Sequence, residues 1–276
     1  MTLREALQRA RELLSAHGIE NAPLTAEVLL RHVRQITKVR LYQDLDENLT
    51  APQEAAFSRV IKRHLKGEPV AYITGHKEFF GLDFAVDGSV LIPRPETELL
   101  VEKALEIAKT KTVISIADIG TGSGAVAITL ALNLPSTVIY AVDISPQALT
   151  TARNNSVRYN LQARIHFLEG DLLEPLPEPV ELVVANLPYV KEAELNEPSI
   201  RYEPKAALDG GPDGLMQIRR FIPQIKDKLK TGGLVLLEIG LGQSEAVKSL
   251  VPDYFPAARI TAFKDFNNIE RVICVN

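Results

Sequence analysis

Only one cysteine, Cys274, stands in the 276 residues, so the chain can close no internal disulfide and build no cysteine metal cluster. No run approaches the ~18 consecutive apolar residues of a membrane-spanning helix. The opening residues, MTLREALQRARELL, mix charges with apolar positions and lack the apolar core of a signal peptide. The expected compartment is therefore the cytoplasm, and a monomer is expected. His64, His76 and His166 have no ligand-like spacing, so no metal is assigned. Neither sign of charge dominates: 31 Lys and Arg face 35 Asp and Glu, a formal charge of -4. That balance excludes a whole-protein electrostatic grip on nucleic acid and leaves only local patches. Internal repeats and low-complexity tracts are absent.

What is present is ordinary for a globular protein: 46% hydrophobic and 24% charged residues, with length for one large domain and a small one. The first third reads as helical. Leu3, Leu7, Ala10, Leu13 and Leu14 recur at helical spacing, and Gly18 can stop that helix. Thr25 is read as the cap of a second helix over residues 26–33. A third helix, over residues 52–65, places Phe57, Val60, Ile61 and Leu65 on one face. Two basic clusters occur here, Arg31, Arg34, Lys38 and Arg40, then Arg59, Lys62, Arg63 and Lys66. They read first as solvated helix faces. Residues 79–92 alternate apolar and polar around Gly-Leu-Asp and Asp-Gly turns, the pattern of a short hairpin.

From Lys111 onward apolar runs alternate with helical stretches. That alternation predicts an α/β fold with a mostly parallel, doubly wound sheet. The last two runs lack a helix between them and predict an antiparallel edge. The glycine segment DIGTGSG, residues 118–124, follows a strand and opens a helix. Glycines there let the backbone turn sharply beside a ligand. Asp143, at the end of the next strand, is placed to hold ribose hydroxyls. Glycines plus an acid fit a dinucleotide or S-adenosylmethionine. Asp118 is read as deciding for the latter, because a carboxylate there repels a pyrophosphate and favours an ammonium and a sulfonium. Asp171, after the third strand, is placed to meet adenine.

Asn186, Leu187, Pro188 and Tyr189 follow the fourth strand, and so border the same crevice. An amide or aromatic amine nitrogen attacks poorly because its lone pair is delocalised. The Asn186 side-chain oxygen and the Leu187 carbonyl can hold its two N–H groups. Pro188 fixes the turn, and Tyr189 offers a face for stacking.

The hairpin run of residues 79–102, the glycine segment 118–124, the Asn-Leu-Pro-Tyr loop, RYEPKAALDGGPDGL at residues 201–215 and above all LIPRPETE at residues 91–98 resemble the release-factor glutamine methyltransferases (PrmC/HemK). The resemblance spans nearly the whole chain. It implies a class I methyltransferase-like sheet of seven strands with a small N-terminal helical bundle and a linking β-hairpin. The domains would be residues 1–70 for substrate recognition, 71–92 as the hairpin linker and 93–276 for methyl transfer. It implies transfer of a methyl group from S-adenosyl-L-methionine, giving S-adenosyl-L-homocysteine, to the glutamine amide of the Gly-Gly-Gln motif in class I peptide-chain release factors. The resemblance assigns Gly120, Thr121, Gly122, Ser123, Gly124, Asp143, Asp171, Leu172 and Asn186 to the donor site, and residues 186–189 to the glutamine pocket. Arg94 and Glu96 would form an ion pair or support that pocket. The family carries a second proline where this chain has Leu187. Asn-Leu-Pro-Tyr is also similar to the loop of ribosomal RNA adenine dimethyltransferases, which lack the residue 91–98 segment. Adenine N6-methylation of ribosomal RNA or DNA is therefore the alternative, with nucleic acid not the favoured partner. A dinucleotide oxidoreductase or a non-catalytic donor-binding scaffold is the third reading.

Overall fold

The computed structural model describes all 276 residues, which divide into two compact units, 1–75 and 76–276. The first unit is helical. Helix α1 (Leu3–Ala16) opens on a reciprocal Thr2/Glu5 capping box, in which each side chain bonds the other residue's backbone N–H. Helix α2 (Ala22–Arg34) begins earlier than expected. Thr25 lies inside it rather than at its cap, because Pro23 in the first turn has φ already set and no N–H to leave unpaired. A short α3 (Lys38–Gln43) follows, then α4 (Ala51–Leu65) with a Thr50/Gln53 capping box and α5 (Val70–Thr74). Leu3, Leu14, Leu29, Leu30, Leu41 and Phe57 fill the core between them.

The second unit starts with a hairpin, β1 (His76–Phe79) and β2 (Leu82–Ala85). Its turn is Phe80-Gly81, both at positive φ (53° and 71°), the backbone of a type I′ turn. The sequence pattern places turns at Gly-Leu-Asp and Asp-Gly instead. Asp87-Gly88 lies beyond the hairpin, where Asp87 Oδ1 accepts from the Ser89 N–H at 2.8 Å, an Asx-type turn.

Helix α6 (Thr97–Thr110) occupies a stretch for which the sequence reading names no element. The sheet and its crossovers then follow: β3 (Ser115–Ile119), α7 (Ala125–Asn133), β4 (Val138–Asp143), α8 (Pro146–Arg158), β5 (Ile165–Glu169), β6 (Val180–Ala185), α9 (Met216–Lys228), β7 (Leu229–Glu238), α10 (Ser244–Leu250), β8 (Ile260–Lys264) and β9 (Glu270–Val275). The seven strands lie in the order β5-β4-β3-β6-β7-β9-β8. Pairing is parallel from β5 to β7, while β9 runs antiparallel to both β7 and β8.

Side chains alternate across the strands, so one face buries Ile116, Ile139, Leu182 and Leu236 with Leu100 of α6 and Ile128 of α7. The other buries Ala117, Val142, Val183 and Val235 with Phe221 of α9 and Val247 of α10. Burial on both faces is why these strands read as apolar runs rather than alternating ones. Helix α7 is buried from Ala125 through Ala131, and the one polar side chain in that span, Thr129, donates its hydroxyl to the Ala125 carbonyl at 2.7 Å. No helix is long and apolar enough to cross a membrane.

Candidate active site

Strand order reverses between β3 and β6, and open α/β sheets bind ligands at the carboxyl ends of such strands. Ile119 and Ala185 are register partners there, so the loops 120–124 and 186–189 start side by side. Gly120 has φ +74°, and a Cβ on it would stand 3.2 Å from the Asn186 carbonyl oxygen. A side chain would wedge the two loops apart. Gly124 caps α7 in the left-handed region, with Ala152 and Ile128 3.1 Å from any Cβ.

Having no side chain, Gly124 cannot cap α7 itself. Asp118 does so from β3: its Oδ2 accepts from the Ala127 N–H at 3.1 Å and the Thr121 hydroxyl at 2.7 Å. A carboxylate at a helix N-terminus also meets the positive end of the dipole. Burial nevertheless pushes Asp118 up to about 7. This corrects the expectation that Asp118 discriminates between ligands from the loop. It shares a strand face with Ile116, points under α7 and is absent from the crevice wall.

The crevice and the open solvent at its mouth together take up about 880 Å³. Gly120, Gly122, Asp143, Asp171, Leu172, Asn186, Leu187 and Pro188 line the crevice, whereas Thr121, Ser123, Gly124 and Tyr189 do not. Thr121 and Ser123 are buried and shape the turn from within. Asp143 accepts from the Gly122 N–H at 2.8 Å and the Ser145 N–H at 2.9 Å. Burial raises its pKa, and those backbone donors pull it back. Asp171 is ion-paired with Arg220 of α9, a partner the local sequence does not announce. Leu172 stands at φ +51°, a strained position for a branched side chain of the kind found at ligand sites. Ile144, 61% exposed, gives the wall beside Asp143 a flat apolar surface.

Asn186 Nδ2 donates to Thr97 Oγ1 at 3.1 Å, which leaves its side-chain oxygen as the acceptor end. Leu187 is buried, and its N–H enters no intramolecular backbone bond, so the family's proline would remove none. The Tyr189 hydroxyl reaches Glu238 Oε1 at 3.4 Å. Gln243, buried and silent in the sequence reading, ties three loops together. Its Nε2 donates to the Tyr189 and Gly214 carbonyls at 3.2 Å each, and its Oε1 accepts from the Gly240 N–H at 2.8 Å. Gly214 has no room for a Cβ, which would lie 2.4 Å from the Tyr189 carbonyl oxygen. Gly210 and Gly214 therefore serve close packing against the Asn-Leu-Pro-Tyr loop.

Arg94 pairs with Glu203, not with Glu96. Glu203 is buried, and its other oxygen accepts from the Ile92 N–H at 3.1 Å. This contact joins residues 91–98 to residues 201–208 beside the crevice, where Leu91 and Pro204 form part of the wall.

The PrmC N-terminal domain family matches residues 5–75, and the methyltransferase small domain family matches residues 95–202. A release factor glutamine methyltransferase of Moorella thermoacetica is 46% identical over 253 residues, 91% of this chain and 89% of that protein. The Bacillus subtilis protein of the same name is 39% identical over 285 residues, 99% of this chain and 97% of its own length. This chain belongs to the release factor glutamine methyltransferase family. Among solved structures, a Pyrococcus furiosus methyltransferase superposes with TM-score 0.53 at 17% identity, covering 79% of this chain and 98% of that one. The ribosomal protein L11 methylase of Lactobacillus delbrueckii subsp. bulgaricus gives TM-score 0.51 at 21% identity, covering 69% and 81%. These likenesses establish the class I methyltransferase-like fold of the second unit. Residues 91–98 lie where Thr97 meets Asn186 and Arg94 meets Glu203.

Proposed function

We propose that this protein transfers a methyl group from S-adenosyl-L-methionine to the side-chain amide nitrogen of the glutamine in the Gly-Gly-Gln motif of class I release factors. The observation that carries it is Asn186. Its amide lies on the crevice wall with the NH₂ end committed to Thr97, so it offers a target NH₂ an acceptor. The curated relatives, matched over nearly their full length, bear the name of this activity.

The crevice suits the donor on two counts. Side chains are excluded at Gly120, leaving room for close approach. The Asp143 carboxylate supplies acceptors for a ribose diol. When bound, the donor supplies an electrophilic methyl on a sulfonium; the amide nitrogen takes it, the broken S–C pair stays on sulfur and an amide proton goes to solvent. Asn186 Oδ1 and the Leu187 carbonyl orient the target N–H groups and favour the more positive nitrogen of the transition state. Pro188 lines the same wall and keeps the turn rigid. Residues 120–124, 143, 171 and 172 serve the donor, Thr121, Ser123 and Gly124 by shaping the loop from inside.

Residues 1–70 serve as the recognition unit for the release factor, and residues 93–276 as the transfer unit. The basic residues of the first cluster are largely neutralised within their own unit: Arg31 and Lys38 by Glu27, Arg34 by Glu47, Arg40 by Asp44. That favours a protein partner over RNA. The test is labelled methyl transfer to a release factor, to the same factor with its Gly-Gly-Gln glutamine changed to alanine, and to ribosomal RNA. Label in the first alone supports the proposal; label in RNA alone overturns it.

A further inference from the structure

Arg220 of α9 is the one basic residue among those lining the crevice, where Asp143 and Asp171 are the acids. A donor that carries a sulfonium and an ammonium gains nothing from a cation beside it. Arg220 is therefore suited to the neutral part of that ligand, its base. The fold does not require it either. The buried face of α9 is Ile218, Phe221, Ile222 and Ile225, and Arg220 is 47% exposed. An ion pair so open to solvent adds little stability.

The bonds of Arg220 show what it does. Its Nη2 pairs with Asp171 Oδ2, 49 positions away in the sequence. Its Nη1 donates to Gln217 Oε1 at 2.9 Å, one turn back on the same helix. Gln217 and Asp171 both lie on the crevice wall. A guanidinium has N–H donors and no acceptor, so it fixes the polarity of both partners. Gln217 must turn its amide oxygen to Arg220, which leaves its NH₂ as the end for the crevice. Asp171 has Oδ2 engaged and keeps Oδ1, which can only accept while ionised. One residue thus sets an acceptor and a donor side by side. The outer edge of adenine carries the matching pair, N–H at the 6-amino group and an acceptor at N1. A 6-oxo purine inverts both, with an acceptor at position 6 and an N–H at position 1.

We propose that Arg220 is a positioning residue for the donor's base: through Asp171 and Gln217 it fixes an acceptor beside a donor on the crevice wall, and so selects a 6-amino purine over a 6-oxo purine. This rests on the reading that the crevice binds S-adenosylmethionine with its base at Asp171.

The test is calorimetry on the full chain with S-adenosylhomocysteine and its 6-oxo counterpart, S-inosylhomocysteine. The wild type should bind the adenine ligand about 10- to 100-fold more tightly, the usual worth of a two-point base contact. Arg220→Met removes the guanidinium at similar length and releases both partners. Most of the preference should vanish, through weaker binding of the adenine ligand. Gln217→Glu keeps an oxygen for Arg220 but sets a second one where the NH₂ stood, so its preference should move toward the 6-oxo ligand. A merely structural ion pair would weaken both ligands equally in Arg220→Met or leave both unchanged, and either result overturns the inference. So does a Gln217→Glu variant that rejects the 6-oxo ligand as the wild type does. Both positions lie off the buried face of α9, and circular dichroism checks that each variant folds. A wild type that binds both ligands alike refutes the inference and leaves the donor reading standing; a wild type that binds neither refutes the donor reading itself.

Discussion

Asp143 and Asn186 share a crevice but are loaded differently. Asp143 accepts two backbone N–H groups and, under the proposed function, serves the donor. Asp143→Ala should weaken S-adenosylmethionine binding by roughly 1.5–3 kcal/mol, the worth of a hydrogen bond to a charged group; unchanged affinity in calorimetry removes it from the donor site. Asn186 acts on charge that develops only during transfer. Asn186→Ala should therefore leave donor affinity nearly intact and cut single-turnover transfer by about 10²–10³, and a wild-type rate would remove it from the mechanism. Glu238 and Asp118 make the same scale visible in stability. Burial lifts Glu238 from 4.5 to about 7 and Asp118 from 3.8 to about 7. Thr97, Tyr189 and Arg271 pull Glu238 down, and Glu96 pushes it up. The folded protein thus keeps protons that the unfolded chain releases. Stability falls as pH rises from about 4 to about 7 and levels off once the folded groups also ionise. Glu238→Gln cannot ionise, so its loss of Tm between about pH 5 and about pH 8 should be smaller than the wild type's. An equal loss would place the Glu238 pKa near its ordinary value.

Elements differed sharply in how much of themselves the sequence revealed. The central strands β3, β6 and β7 are legible because burial on both faces leaves continuous apolar runs, and Asp143 is legible because it sits at a strand end twenty-odd residues past a glycine turn. Helix α6 carries a weaker signal: Leu100, Val101 and Ala104 lie on its buried face, but it begins inside the proline-containing segment of residues 91–98, where no capping side chain marks its start. Thr25 failed as a cap because Pro23 sets the helix start locally. Asp118 was found but given the wrong direction, since its role as the cap of α7 depends on a glycine six residues away. Gln243, Glu238 and Asn155 leave no local signature, and Glu203, visible within the motif at residues 201–215, gives no hint of Arg94 because that partner is distant in sequence. Asn155 shows what such a residue does. Fully buried in α8, it accepts from the Ala85 N–H at 2.8 Å and donates to the Ala85 and Ser123 carbonyls at 2.9 Å each. It ties the hairpin and the glycine loop to one helix. Asn155→Ala should destabilise the protein by at least roughly 1–3 kcal/mol, the cost of an unsatisfied buried group. Urea denaturation with an unchanged midpoint would mean the loops are held elsewhere.

At the scale of the molecule, fold and chemistry come from different parts of the chain. The sheet is shared with methyltransferases at 17–21% identity, so it specifies the class of fold and leaves the acceptor open. Three loops beside that sheet, residues 91–98, 186–189 and 201–214, are joined by Arg94–Glu203, Thr97–Asn186 and Gln243, and under the proposed function they specify the acceptor. The helical unit of residues 1–75 has its own core and is matched by a family description of its own. The most direct test is to incubate the full chain with isotope-labelled S-adenosylmethionine and a class I release factor, digest the factor and fragment the Gly-Gly-Gln peptide by mass spectrometry. The account predicts a single methyl on the side-chain nitrogen of that glutamine. A methyl group on any other residue, or label only in ribosomal RNA supplied beside the factor, would contradict it.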